Sequence, residues 1–285
     1  MSDKSKIEWT DATWNPVTGC TPVSEGCAKC YASDLHGKRN KAYLAGKKMP
    51  AQYSTPFSTV RLHHDRITKP LHWRGHRNVF VNSMSDLFHD DVPDDFRDQV
   101  FAVMALCREH VFQVLTKRED NMLRYMRRLQ AMVPHLSDDD ERSLGGFRWD
   151  SGDPFPPFPL RNVIGMVTVE NQAAADRRVA KLLQAPFAVR GISVEPMLGP
   201  ADLGAYLDGS TRWSLATGAT RLDWVICGGE TGPGARPMDV AWARVLRDQC
   251  KAAGLPFFMK KASGGKLPPD DLMIRQYPEA AHANA

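Results

Sequence analysis

Short apolar runs alternate with longer helical segments along most of the chain, and this alternation predicts the fold. The apolar runs predict about seven strands. The first is at 7–10, and the others are at 78–82, 111–115, 163–168, 187–193, 224–227 and 255–259. Because the runs are apolar throughout, we expect strands covered on both faces, as in a parallel sheet. Helices are predicted at about 31–45, 93–109, 118–132, 171–183 and 239–253.

Two segments, near 133–160 and 200–221, interrupt this pattern. The first contains the acidic run DDDE and the proline-rich run PFPPFP, neither of which continues a regular element. We expect both segments to be insertions. Residues 57–70 are basic and irregular, with a helix possible only before Pro70. The chain is therefore predicted to form one domain over 1–265, followed by a polar, frayed tail at 266–285.

Polar residues follow the carboxyl ends of the predicted strands: Asp86, Lys117, Glu170, Glu195, Glu230 and Lys260. A barrel collects functional residues from many strands at this rim, whereas an open doubly wound sheet concentrates them at one switch point. The sequence therefore predicts an α/β fold, a full or partial (β/α) TIM-like barrel with parallel strands and an N-terminal cluster-binding loop.

Composition narrows the functional classes only slightly. The 285 residues are 42% hydrophobic and 25% charged, and no apolar run is long enough to span a membrane. We expect a cytoplasmic protein without a membrane partner. The net charge is +4, and basic residues cluster at 38–48 and 61–74, near Tyr43 and Trp73. These clusters fit a nucleic-acid surface with stacking partners, or a solvated basic face.

Half of the six cysteines are clustered near the N-terminus with the spacing C-x6-C-x2-C: Cys20, Cys27 and Cys30. Gly19 and Gly26 precede two of them, and Pro16 and Pro22 disfavour a helix. The segment is therefore predicted to be a loop that gathers its thiols around a bound group. Cys107, Cys227 and Cys250 lie in apolar strand or helix patterns and are predicted to be core residues.

Three thiolates leave one coordination position open, which favours an iron–sulfur cluster with one free iron. A zinc site with His36 as the fourth ligand is an alternative, since closed zinc sites take four protein ligands. Disulfides would leave an odd thiol. Inert core cysteines would not suit a polar loop rich in glycine and proline.

Candidate cofactor-binding residues follow several strands. After the second strand these are Asn82, Ser83, Ser85 and Asp86, with helix capping as the alternative role. Glu170 follows the fourth strand. Glu195 precedes Pro196, which favours an extended backbone into the rim; its alternative is an ion pair with Lys117 or Arg118. Gly228, Gly229 and Glu230 allow close backbone approach to a ligand, although Glu230 could instead cap the next element.

Seven motifs together resemble the radical S-adenosylmethionine (radical SAM) superfamily, and most closely a phage-encoded branch with three cysteines. They are 14–20 (WNPVTGC), 26–32 (GCAKCYA), 79–88 (VFVNSMSDLF), 113–118 (QVLTKR), 192–200 (ISVEPMLGP), 223–237 (DWVICGGETGPGARP) and 255–260 (LPFFMK). The resemblance spans residues 7–261. It implies that the three clustered cysteines hold a [4Fe–4S] cluster, that S-adenosylmethionine binds the open iron, and that reductive cleavage gives a 5′-deoxyadenosyl radical.

Members of this branch occur in phages that hypermodify thymidine. The resemblance implies an isomerase that converts 5-Nα-glycylthymidine in DNA to its Cα-linked form, in an infected bacterial host, with flavodoxin or ferredoxin as electron donor. The superfamily's ammonium-binding stretch corresponds to 83–86, which leaves 228–230 for adenosine or substrate. Lesion reversal, in the manner of spore-photoproduct lyase, and a non-catalytic zinc-binding nucleic-acid adaptor are the alternatives.

Overall fold

The computed structural model describes residues 5–133, 143–144, 147–148, 158–207 and 221–279. Seven strands form one parallel sheet: β1 (Ala12–Trp14), β2 (Asn78–Val81), β3 (Val111–Thr116), β4 (Val163–Thr168), β5 (Val189–Val194), β6 (Trp224–Cys227) and β7 (Phe257–Met259). The order of the strands in space is their order in the chain, and the sheet curls into a half-barrel. The predicted parallel α/β class is confirmed.

The helices are α1 (Tyr31–Leu44), α2 (Asp94–Leu106), α3 (Glu119–Met132), α4 (Gln172–Gln184), α5 (Gly204–Leu207) and α6 (Val240–Ala252). Neighbouring parallel strands need crossover connections of one hand, which puts the connecting helices on one face of the sheet. Within the described ranges, β1 and β7 each pair with one strand of the sheet and not with each other. The barrel is therefore partial.

Side-chain alternation divides the core into two clusters. Val79, Val81 and Val225 point towards the helices and belong to a large cluster, whereas Phe80 and Ile226 point into the concave face. The same alternation continues past the strand ends. The residues two positions after Phe80 and Ile226 therefore also face inward, at the carboxyl mouth of the half-barrel.

The first strand is not where the sequence predicts it. Residues 7–10 are not a strand, and β1 begins at Ala12. Trp9 instead enters the concave cluster, with its ring 4.7 Å from that of Phe80. The large aromatic surface of Trp9 is buried there, which overrides its preference for a strand. Residues 57–70 contain no α-helix: Arg61–Leu62 pairs with Val17–Thr18, and short 3-10 turns follow.

The segment predicted as a frayed tail is packed as far as residue 279. Ile274 O accepts a hydrogen bond from Met259 N at 2.8 Å, and Gln276 N donates to Phe257 O at 3.0 Å. Leu272 is fully buried. This segment covers the outer edge of β7, and edge strands need such protection.

Most of the two predicted insertions, together with 280–285, lies outside the described residues. A short antiparallel pair, Ser143–Leu144 with Phe147–Arg148, falls within the first insertion, and α5 falls within the second. None of the helices that the structure describes is long and apolar enough to cross a bilayer.

Candidate functional site

A cavity of about 140 Å³ lies at the carboxyl end of the sheet, and all three clustered cysteines line it. Apart from Tyr31 of α1, the other polar lining residues come from the ends of β2, β3 and β4: Asn82, Ser83, Ser85, Asp86, Thr116, Lys117, Arg118 and Thr168. The remaining cysteines are buried and do not line the cavity: Cys107, Cys227 and Cys250. The prediction that these three are core residues is confirmed.

The cysteine loop, residues 19–30, is held at both ends by backbone contacts. Gly19 has φ +92°, and a Cβ there would lie 2.1 Å from Thr59 O. Its N–H donates to Met84 O at 3.0 Å, which ties the loop to the chain after β2. Cys30 occupies the N-cap position of α1. The loop therefore ends where α1 begins, and the start of the helix fixes the position of Cys30.

Glu170 lies beneath the cysteine loop and is 1% exposed. Its Oε1 accepts a hydrogen bond from Ser24 Oγ at 2.5 Å, and its Oε2 accepts one from Arg178 Nη1 at 2.5 Å. A Cβ at Gly26 would lie 2.5 Å from the same Oε1. Glu170 is one of the predicted cofactor-binding residues; in the structure its Oε1 binds Ser24 of the loop and its Oε2 binds Arg178 of α4.

Asp86 and Arg118 form a charged pair beside Cys20. Asp86 Oδ1 accepts a hydrogen bond from Thr116 Oγ1 at 2.8 Å, and Arg118 Nη1 lies 3.4 Å from Asp86 Oδ2. The same Nη1 is 3.4 Å from Cys20 Sγ, and Arg118 Nη2 donates to Thr21 O at 2.9 Å. The guanidinium therefore places a fixed positive charge next to one of the thiols.

The electrostatic environment of the cysteines differs. Burial, and then the charge of Asp86, raises the pKa of the Cys20 thiol despite Arg118. Burial alone would also raise the pKa of Cys27. A backbone hydrogen bond at Val23 and the charge of Lys117 instead bring it below its usual value. Cys27 is thus the thiol of this pair that ionises more readily.

Asn82 provides an unsatisfied donor at the cavity. It is 2% exposed, has φ +61°, and its Oδ1 accepts a hydrogen bond from Val17 N at 3.2 Å. Its Nδ2 has no hydrogen-bond partner among the described residues. Because buried amide groups are normally paired, this donor indicates a missing acceptor.

The neighbouring serines make internal contacts. Ser83 Oγ donates to Asn15 Oδ1 at 3.2 Å, and Ser85 Oγ donates to Val17 O at 2.9 Å. Ser83 O accepts a hydrogen bond from Tyr31 OH at 2.5 Å. Both serines line the cavity and also fix the end of β2 against the start of the chain.

The glycine-rich loop, residues 228–237, lies against the cysteine loop. Arg236 Nε donates to Glu230 Oε1 at 3.0 Å, and its Nη2 donates to Glu25 O at 3.0 Å. Lys29 Nζ donates to Gly234 O. Burial would raise the pKa of Glu230, but the hydrogen bonds from Arg236 hold it below its ordinary range. The predicted ligand residue Glu230 is therefore paired with an arginine that connects the two loops.

Glu195 follows β5 and forms an ion pair with Lys260, which follows β7. Lys260 Nζ lies 2.5 Å from Glu195 Oε1. The alternative role predicted for Glu195, an ion pair, is thus present, but the partner is not Lys117 or Arg118. The two side chains come from strands that are separated by β6 alone.

His36 forms a hydrogen bond and ring contacts with residues outside the cysteine loop. Its Nε2 lies 2.9 Å from Thr55 O, and its ring packs against the rings of Tyr53 and Phe57. Among the described residues, no group of three or more His, Cys, Asp or Glu side chains has a geometry ready for a metal ion. These contacts do not favour His36 as a zinc ligand.

A family model described as "Protein of unknown function (DUF5131)" matches residues 4–279. The chain belongs to this family. No curated protein and no solved structure matches it. The family description assigns no reaction, so a functional assignment depends on the geometry of the cavity.

Two residues that support the site in this DUF5131 protein were not among the predicted ones. Ser24 contacts Glu170 across 146 positions of sequence, a separation that no local pattern reveals. The sequence does contain a feature that identifies Arg178. It lies on the same face of α4 as the buried residues Ala175, Val179 and Leu182. A charged residue on an apolar helix face indicates a buried partner.

Proposed function

We propose that this protein is a radical SAM enzyme whose Cys20, Cys27 and Cys30 hold a [4Fe–4S] cluster. The observation that carries the proposal is the convergence of three thiols and the unpaired Asn82 amide on one cavity at the mouth of a parallel half-barrel. Functional residues of β/α barrels collect at this edge.

The cavity carries the ligand types that such a group takes, although its three thiols are not positioned as a ready-made metal site. Thiolates are the ligands that iron–sulfur clusters take, and three of them leave one iron open. A cluster bound to three thiolates is anionic, and Arg118 and Lys117 place positive charge beside Cys20 and Cys27. Val23, Phe57 and Leu115 supply an apolar part of the lining.

When bound, the cluster would supply the electron that cleaves S-adenosylmethionine and so generates the radical used for hydrogen abstraction. The residues of the chain itself would hold the bound groups and orient them. Glu170 and Ser24 fix the cysteine loop, and Asn82 Nδ2 offers a hydrogen bond to an acceptor in the cavity. Arg236 and Lys29 tie the glycine-rich loop over the cysteine loop.

For the substrate we propose a hypermodified thymidine in phage DNA, 5-Nα-glycylthymidine, which the enzyme converts to its Cα-linked isomer. The methylene–N bond and one Cα–H bond break, and a methylene–Cα bond and an N–H bond form, so the formula is unchanged. A base inside a duplex cannot reach the mouth of a half-barrel, so the nucleotide has to be extruded.

The basic segments support a narrower DNA surface than the sequence predicts. Arg61 donates to Thr55 and Ser54, and Trp73 packs against the ring of His110. These two residues of the second predicted segment therefore have internal roles. The exposed lysines of the first segment follow Cys30 along α1 and beyond its end: Lys38, Lys41, Lys47 and Lys48.

The test is anaerobic purification, reduction, and incubation with S-adenosylmethionine, with and without DNA that contains 5-Nα-glycylthymidine. We expect 5′-deoxyadenosine and the Cα-linked product from the wild-type protein. Cys27→Ala should abolish both. Cys107→Ala, which changes a buried cysteine outside the cavity, should retain both.

The outcomes separate the alternatives. Cleavage of S-adenosylmethionine with no change in the glycylated base would retain the radical chemistry and reject this substrate. A photodimer reversed by the same protein would favour lesion reversal. A colourless protein that contains zinc and forms no 5′-deoxyadenosine would reject the enzyme proposal in favour of a nucleic-acid adaptor.

A further inference from the structure

Tyr31 presents an aromatic ring at the lip of the cavity. It is the first residue of α1, it lines the cavity, and it is 50% exposed. Its hydroxyl donates a hydrogen bond to Ser83 O at 2.5 Å, which fixes the side chain against the segment after β2. The polar end of the side chain is therefore satisfied by the protein, while half of the residue's surface remains open to solvent.

A second apolar side chain borders the same cavity. Val23, in the cysteine loop, lines the cavity and is 43% exposed. Single exposed apolar residues are common on protein surfaces, but these two lie on the lip of one cavity. An aromatic ring held in place beside an aliphatic side chain suits a flat, apolar ligand group, and a nucleobase is such a group.

The exposed face of α1 continues from Tyr31 as a basic path. Side chains three or four positions apart share a helix face, and this face is exposed along the whole helix. Asp34 is the only acidic residue between positions 31 and 48. The path is therefore complementary to the phosphates of a nucleic-acid strand. Its exposed lysines lie on this face or just beyond the end of α1: Lys38, Lys41, Lys47 and Lys48.

We propose that Tyr31 stacks on the nucleobase next to the extruded nucleotide, while the lysines of α1 hold the phosphates of the same DNA strand. This inference rests on the proposed function, which brings DNA to the mouth of the half-barrel. The extruded nucleotide has to enter the cavity, so its neighbour in the strand remains at the lip, where Tyr31 is exposed. Stacking accepts any base, so Tyr31 holds the strand without reading its sequence.

The stacking residue is thus not one of the two that the sequence indicates beside the basic segments. Trp73 packs against the ring of His110. Tyr43 belongs to α1 but is twelve positions from Tyr31, which places it on another face, about 120° around the helix. Tyr43 is therefore a matched control for Tyr31 on the same helix.

The experiment measures binding of short single-stranded DNA to the anaerobically reconstituted protein by fluorescence anisotropy. One strand carries a central 5-Nα-glycylthymidine with normal neighbours, and two further strands each lack the base on one side of it. The variants are Tyr31→Leu, which removes the ring, Tyr31→Phe, which keeps it, and the control Tyr43→Leu. Binding of S-adenosylmethionine to each protein is measured in parallel.

We expect Tyr31→Leu to weaken binding of the intact strand by about tenfold, as for the loss of one stacked base. Tyr31→Phe and Tyr43→Leu should bind it as the wild type does. One of the two abasic strands should bind the wild-type protein about tenfold more weakly. Tyr31→Leu should bind that strand and the intact strand equally, because both changes remove the same contact. A purely structural role for Tyr31 would not depend on one base.

Equal binding of all three strands by the wild-type protein would overturn the inference, whether or not the Tyr31 variants fold. A loss in Tyr31→Leu that is confined to S-adenosylmethionine would also overturn it, because the ring would then serve the cofactor. If 5′-deoxyadenosine forms but no strand binds, the DNA substrate falls with the inference and the radical chemistry stands. Base-dependent binding by a protein without cluster or cleavage would reject the radical chemistry and retain the stacking contact.

Discussion

Single residues around the cysteine loop divide into those that tune the thiols and those that hold them in place. Lys117 and Arg118 lie beside Cys27 and Cys20, respectively, and change their electrostatic environment. Glu170 acts through Ser24 and touches no cysteine sulfur in the described contacts. These roles make different predictions, because electrostatic tuning changes reactivity while positioning changes stability.

The first prediction concerns thiol reactivity in the cofactor-free protein. At neutral pH, Cys27 should react faster with iodoacetamide than Cys20, because its lowered pKa gives more thiolate. As the pH rises, Cys20 also ionises and the rate ratio should fall. Mass spectrometry of partly alkylated protein measures both rates. Lys117→Met should slow the alkylation of Cys27 more than that of Cys20. Faster alkylation of Cys20 than of Cys27 in the wild-type protein would contradict this electrostatic account.

The second prediction concerns Glu170→Gln. The change leaves Arg178, which is fully buried, without its closest counter-charge. We expect the free energy of unfolding to fall by about 3 kcal/mol, measured by urea denaturation of the cofactor-free protein. Ser24→Ala removes one hydrogen bond and should cost about 1 kcal/mol. Equal, small effects from both variants would show that Glu170 does not support the loop.

At the scale of elements, the path of the cysteine loop depends on backbone geometry more than on side chains. Gly19 and Gly26 each occupy a place where a Cβ would collide, with Thr59 and Glu170 respectively. α1 begins directly after Cys30, so the loop ends at a fixed helix N-terminus. The loop is thus held at its start, its middle and its end.

The third prediction compares two glycines. Gly19→Ala should lower the free energy of unfolding by about 2 kcal/mol or more, because alanine is strained at φ +92° and meets Thr59 O. Gly37→Ala, in the middle of α1 with nothing within 4 Å, should raise it by about 0.5–1 kcal/mol. Thermal unfolding measures both. A tolerated Gly19→Ala would mean that the loop has another path.

The fourth prediction concerns the lysines beyond α1. The double change Lys47→Glu with Lys48→Glu should weaken DNA binding at every sequence and reduce the salt dependence by about one unit of slope per lost phosphate contact. Lys251→Glu, an exposed lysine on α6, is the control. Fluorescence anisotropy at several salt concentrations gives the slopes. Equal slopes in all three proteins would exclude this DNA surface.

At the scale of the whole molecule, the sequence predicts the sheet well because its signal is local. Continuous apolar runs such as 163–168 identify strands buried on both faces, and Asp86 and Lys117, which follow two of these runs, line the cavity at the mouth. The sequence does not predict which charged side chains form ion pairs with each other. Glu195 pairs with Lys260 across 65 positions, whereas its candidate partners Lys117 and Arg118 line the cavity with the cysteines.

The errors have a physical cause in common. Residues 7–10 alternate apolar and polar side chains as a strand would, and residues 266–279 contain few apolar residues, yet Trp9 and Tyr277 both pack against Trp224 in one aromatic cluster. The two ends of the described chain close the concave face together. That closure depends on contacts between distant segments, which periodicity within a window does not register.

The most direct test of the central claim is metal analysis of the anaerobically reconstituted protein and its cysteine variants. We expect a brown protein with about four iron and four sulfide per chain, as for a [4Fe–4S] cluster. Each of Cys20→Ala, Cys27→Ala and Cys30→Ala should lose the iron, and Cys107→Ala should retain it. Zinc in a colourless wild-type protein, or iron that survives all three changes, would contradict the account.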